Sequence, residues 1–98
     1  MEVEFQDDAL DRLETDPRAP TTLPQAAVRV FWKRMQFIRN AVDERDFRQM
    51  KSLHFEKLKG ARKSQYSMRL NDQYRLILEF KKERNTKTVI IVSIEDYH

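Results

Sequence analysis

The sequence predicts an α+β domain in which an N-terminal strand and two to three helices pack on one face of a small, mainly antiparallel sheet. Three observations predict it. Val28, Phe31, Met35, Ile38 and Val42 recur at spacings of three and four, the stripe of an amphipathic helix. Residues 65–80 instead alternate with period two on either side of Asn71-Asp72-Gln73, the pattern of a hairpin with one buried face. Residues 88–94 are rich in β-branched side chains, which suits a central, well-covered strand.

The chain begins with Glu2 to Phe5, a short strand with Val3 and Phe5 inward. Gln6 to Glu14 follows as a helix, packing through Leu10 and Leu13, with Asp7, Asp8 and Asp11 near its positive end. The segment 16–20 contains Pro17 and Pro20 and breaks that helix. Thr22 to Gln25 reads as a capping box with a proline in the first turn of the long helix. Trp32 widens the apolar stripe, while Arg29, Lys33, Arg34 and Arg39 project elsewhere. Asp43 to Met50 continues as a shorter helical piece, with Phe47 and Met50 inward.

A basic loop around Gly60, the only glycine, leads into the hairpin. With a three-residue loop at Asn71 to Gln73, Leu70 faces Tyr74 and Met68 faces Leu76. Tyr66, Leu78 and Phe80 then share the buried face. The same register sets Arg69 across from Arg75 on the other, open face. Like charges directly opposite destabilise a hairpin, so the pair suggests a face that receives an anion. The alternative is that each arginine pairs with a local carboxylate, such as Asp72 or Glu79. Residues 81–87 read as a charged loop, and the chain stops at Glu95-Asp96-Tyr97-His98.

Length favours one domain spanning residues 1–98. With no cysteine and only two histidines, disulfides are excluded and a metal site is not expected. No apolar run reaches membrane-spanning length, and the acidic N-terminus is unlike a signal peptide, so the expected location is cytoplasmic. Residues 51–98 carry eleven basic against six acidic side chains, whereas residues 1–50 carry eight against ten. A basic half with tyrosines suits a phosphate-rich partner; a plain solvated face has the same composition.

Leu58-Lys59-Gly60, Arg62, the run Gln65 to Leu76 and the terminal Asp96-Tyr97-His98 together resemble the HigB-type toxins of bacterial type II toxin–antitoxin systems, part of the RelE-like group. The resemblance covers about the last 45 residues closely and the helical half in layout. It implies a ribosome-dependent endoribonuclease, an mRNA interferase that cuts translated mRNA in the decoding site and uses no cofactor. It also implies neutralisation by a HigA-like helix-turn-helix antitoxin, with DNA contacted only through that partner.

Cleavage by internal transfer needs a base for the 2′-hydroxyl, charge stabilisation at phosphorus and an acid for the leaving oxygen. Histidine titrates in the useful range, so His98 is the candidate acid or base. Asp96 orients it or favours its protonated form, and Tyr97 stacks on a base or donates a hydrogen bond. Lys59, Arg62 and Arg75 form the expected phosphate clamp, with Arg69 secondary and Lys57 and Lys63 as further RNA contacts. The chain departs from the family pattern at Glu56, where related toxins often have histidine. His54 lies two residues upstream and substitutes only if the loop shifts, and Glu56 is either an alternative base or a surface carboxylate. Ala61 replaces an acid, Ser64 replaces a glycine, and residues 81–87 lack the usual tight glycine turn. Two other functions fit the sequence: an inactive relative serving as an antitoxin-binding regulatory subunit, and a plain nucleic-acid-binding domain.

Overall fold

The computed structural model describes residues 1–96; Tyr97 and His98 lie outside the described residues. In chain order the elements are β1 (Glu2–Phe5), α1 (Asp8–Thr15), α2 (Gln25–Asn40), α3 (Glu44–Gln49), β2 (Glu56–Lys57), β3 (Tyr66–Arg69), β4 (Tyr74–Glu83) and β5 (Thr86–Asp96), with single 3₁₀ turns at Lys51–Leu53 and Gly60–Arg62. The strands form one sheet in the order β1-β5-β4-β3-β2. Only β1 runs parallel to its neighbour, β5; the other pairs are antiparallel.

The apolar stripe of α2 organises the interior. Val28, Phe31, Met35 and Ile38 pack against Met68, Leu70, Leu76, Leu78, Val89 and Ile91 in one core. Burial of this stripe, more than helix propensity, is what holds such a helix. The short α1 is capped by Asp7, whose carboxylate accepts from the Ala9 amide at 2.8 Å. It docks through Leu10 and Leu13, and Trp32 Nε1 donates to the Leu13 carbonyl at 2.7 Å. Arg39 adds a two-point ion pair with Glu14, at 2.6 and 2.7 Å.

Several expectations are corrected. No side chain caps α2: the helix starts after Pro24, which has no amide proton and whose carbonyl accepts from Ala27 and Val28. Thr21 rather than Thr22 makes the local bond, accepting from the Leu23 amide at 3.1 Å. Val42 is not part of the stripe; it is 83% exposed. The helix ends at Asn40 and Ala41 turns extended, so Ala41 takes the buried position and the next residue points out. Met50 is also exposed, at 40%. Phe47, by contrast, is fully buried and central to an aromatic group with Phe37, Phe55 and Phe80.

Residues 81–87 are not a loop. The ribbon of β4 and β5 continues to the pair Glu83 and Thr86, leaving only Arg84 and Asn85 in the turn, and Arg84 adopts φ 54°. Ion pairs hold this ribbon: Lys81 meets Glu4 at 3.0 Å and Lys87 meets Glu44 at 2.5 Å. The basic loop likewise contains structure, the two-residue edge strand β2 and the turn at Gly60.

The strand β5 is interior but not evenly covered. Its pairing with β4 runs Leu76 to Ile94 and Ile77 to Ser93, then jumps to Leu78 and Ile91. Val92 is therefore the extra residue of a bulge, which keeps Ile94, Ile91 and Val89 all on the core side. The opposite sheet face is not simply open. Ser67 and Ile77, paired across β3 and β4, are both fully buried yet stand outside the main core. Their neighbours on that face are the long polar side chains of Gln65, Arg75, Glu79 and Glu95, and these form a polar layer over them.

Candidate functional site

The hairpin end is set by Asn71, whose side-chain carbonyl accepts from the amides of Gln73 and Tyr74 at 2.9 and 2.8 Å. This local bond closes the three-residue loop and places Arg69 opposite Arg75, as the alternation requires. The two guanidiniums are then held apart by different partners. Arg69 donates to the Asn71 carbonyl at 3.3 Å and pairs with Asp72. Arg75 donates to Ser67 Oγ at 3.0 Å and to the His54 carbonyl at 2.8 Å, and Glu56 lies 3.5 Å away.

His54 can offer that carbonyl because it follows the turn at Lys51–Leu53 in the left-handed conformation, with φ 45°. Together His54, Arg69, Asn71, Asp72 and Arg75 line an open cleft of about 340 Å³. The backbone carbonyl of this upstream histidine thus reaches Arg75. Position along the chain did not reveal this, since it depends on the one left-handed residue between Leu53 and Phe55.

A second cluster lies on the same sheet face. Arg62 binds Glu95 through both nitrogens, at 2.9 and 2.5 Å, and its Nε donates to Gln65 at 2.9 Å. Gln65 in turn donates to Glu79 at 3.0 Å. The Arg62 guanidinium holds the Glu95 carboxyl below the usual glutamate range, against a smaller opposing effect of burial. Of the expected clamp, Arg62 is held by Glu95, which stands directly opposite Arg75 across β4 and β5, and Lys59 is exposed.

Lys57, Lys59 and Lys63 are exposed along the edge strand and the Gly60 turn, and make no ion pair among the described residues. Gly60 itself sits at φ 69°, so a side chain there would be strained although nothing crowds it. Asp96 ends β5 opposite Tyr74 and accepts from Gln73 Nε2 at 3.2 Å. The terminal Tyr97 and His98, expected as stacking group and as acid or base, fall outside the described residues. Tyr66 and Tyr74 pack against the core as expected, Tyr66 stacking on Phe55 at 5.3 Å. Chemically, the arrangement offers paired guanidiniums whose carboxylate partners can exchange for a phosphate.

Comparison with known proteins accords with this geometry. A family model described as the RelE-like toxin of type II toxin-antitoxin system HigB matches residues 3–98. Toxin HigB-1 from Vibrio cholerae is 30% identical over 80 residues, a span covering 82% of this chain and 84% of that protein. A solved YoeB/ParE toxin from Agrobacterium tumefaciens, 17% identical, covers 100% of both chains with a TM-score of 0.62, a likeness of fold. The match over nearly the whole length means that the chain belongs to the HigB family of RelE-like toxins of type II toxin–antitoxin systems.

Proposed function

We propose that this toxin is a ribosome-dependent endoribonuclease that cleaves translated mRNA in the decoding site. The observation that carries this reading is the cleft lined by His54 and by Arg69 and Arg75, directly opposed in the hairpin, with the Glu56 carboxylate 3.5 Å from Arg75. Two opposed guanidiniums can bind a phosphodiester and take up the charge that develops at phosphorus. Arg75 is the central member because Ser67 and the His54 carbonyl fix its orientation. Lys57, Lys59 and Lys63 extend the positive surface along the RNA path.

Proton transfer is assigned to His98, with Tyr97 beside it and Asp96 as the group that orients it or favours its charged form. Glu56 exchanges its contact with Arg75 for water when phosphate arrives, and is then free to serve as an alternative base. The antitoxin partner implied by the family is taken to be HigA-like with a helix-turn-helix fold. DNA is reached only through that partner, and the toxin works in the bacterial cytoplasm, consistent with the lack of a membrane-spanning helix among the described residues.

Induction of the full chain in a bacterial culture, beside a chain lacking His98, tests this reading. Growth arrest with cuts in translated messages is expected from the full chain alone. Arrest by both moves the proton transfer to Glu56 or His54. A soluble, folded chain with no effect on growth or mRNA replaces the enzyme with an antitoxin-bound regulatory subunit.

A further inference from the structure

Among the described residues, Arg34 is the half-buried arginine that has no carboxylate within ion-pair distance. Arg39, Arg45, Arg62, Arg69 and Arg75 each have a carboxylate within ion-pair distance. Arg34 projects from α2 toward the hairpin end, where its only side-chain hydrogen bond among the described residues is a long one of 3.5 Å from Nη2 to the Leu70 carbonyl. Its Nε is buried with no acceptor. Burial, and then the nearby charge of Arg69, make the guanidinium harder to keep charged than usual. A buried donor without an acceptor, beside a like charge, is a costly arrangement unless something supplies the missing acceptor.

We infer that Arg34 and Arg69 form an oxyanion site at the end of the β3–β4 hairpin, adjoining the cleft of His54 and Arg75, and that its ligand is a phosphate group. The inference rests on the ribonuclease reading for the source of that phosphate, the RNA strand. Arg34 is half-buried as a whole, so part of its side chain faces solvent. A phosphate has oxygens enough to accept from both guanidiniums, and its charge relieves their repulsion. A carboxylate has only two oxygens and a single charge to share between the two guanidiniums, and so bridges them less well. An RNA backbone presents such charges in series, so one strand can occupy this site and the Arg69–Arg75 cleft together.

The test follows the side-chain Nε–Hε resonances of the arginines in isotope-labelled full chain. Inorganic phosphate, acetate and a short 2′-O-methyl RNA that cannot be cleaved are added in turn at matched ionic strength. The expected result is a saturable shift at Arg34 and Arg69 with phosphate and with the RNA, and a weaker one with acetate. Phosphate is also expected to raise the melting temperature of the native chain more than that of Arg34→Gln, since a ligand stabilises only the form that binds it. An Arg34 resonance that stays still while Arg69 and Arg75 respond overturns the inference and leaves the ribonuclease reading intact. An acetate response equal to that of phosphate overturns it too. A phosphate response at Arg34 in a chain that cuts no mRNA upholds the site while the ribonuclease reading falls. Should Arg34→Gln not fold, the resonances of the native chain alone decide.

Discussion

Arg69 and Arg75 stand directly opposite each other across β3 and β4, and each has its own carboxylate partner, Asp72 for Arg69 and Glu56 for Arg75. Opposed like charges cost a hairpin roughly 0.2–1 kcal/mol. Here the register cannot slip to relieve them, because a one-residue shift would expose Met68, Leu70, Leu76 and Leu78. The core therefore imposes the charge pair on the surface.

Replacing Arg75 separates its two roles. Arg75→Gln loses the contacts with Ser67, the His54 carbonyl and Glu56, and gains relief from Arg69. The net effect on stability is expected to be a loss of about 1–2 kcal/mol, since each hydrogen bond is worth about 1 kcal/mol and the relief offsets part of it. Urea unfolding measures that change, while growth arrest on induction is expected to disappear entirely.

Glu95 predicts a pH dependence. Its folded carboxyl titrates below the ordinary glutamate value of 4.5 because Arg62 favours the charged form. The unfolded state thus binds the proton more readily, and the contribution of Glu95 is fully present above about pH 4.5 and is lost as pH falls through the folded value. Melting curves of the native chain and Glu95→Gln are expected to differ at pH 7 and to converge below that range. A constant difference across the series rules out the Arg62 pair as its cause.

Phe47 is the point where α3 holds the sheet. It is fully buried and meets Phe37, Phe55 and Phe80 with ring centroids 5.5–6.4 Å apart. Phe47→Ala is expected to cost about 3–5 kcal/mol, the range for emptying a core aromatic site. Denaturant unfolding measures it directly.

Val42 and Ile77 exchange the places that apolar patterning assigns them. Val42→Ser is expected to change stability by no more than about 0.5 kcal/mol, as for an exposed site. Ile77→Ala, under the polar layer, is expected to cost about 2–5 kcal/mol. A large loss at Val42 would place it in an interface that the monomer does not contain.

The hairpin was legible because its two cues are local and agree. Alternation from Tyr66 to Leu78 names the buried face, and Asn71 closes the loop with its own side chain. The bulge at Val92 was hidden, since a run of apolar β-branched residues has no alternation to break. The ribbon past Lys81 was equally hidden, because its support comes from Glu4 and Glu44, far away in sequence. Of the site residues, Arg69 and Arg75 could be placed together from register alone. The partners of Arg62 could not, as Glu95 is 33 residues away on another strand.

By itself the sequence determined the helices, the first strand, the hairpin register and the family. Each rests on periodicity or on motifs contained within a few tens of residues. Only the tertiary structure decided which charges meet. It set Arg62 on Glu95, brought His54 to Arg75 through one left-handed residue, and left Arg34 without an acceptor beside Arg69. The physical reason is range. Burial fixes the pattern of each segment separately, whereas the pairing of surface charges depends on distances that exist only once the segments are packed together.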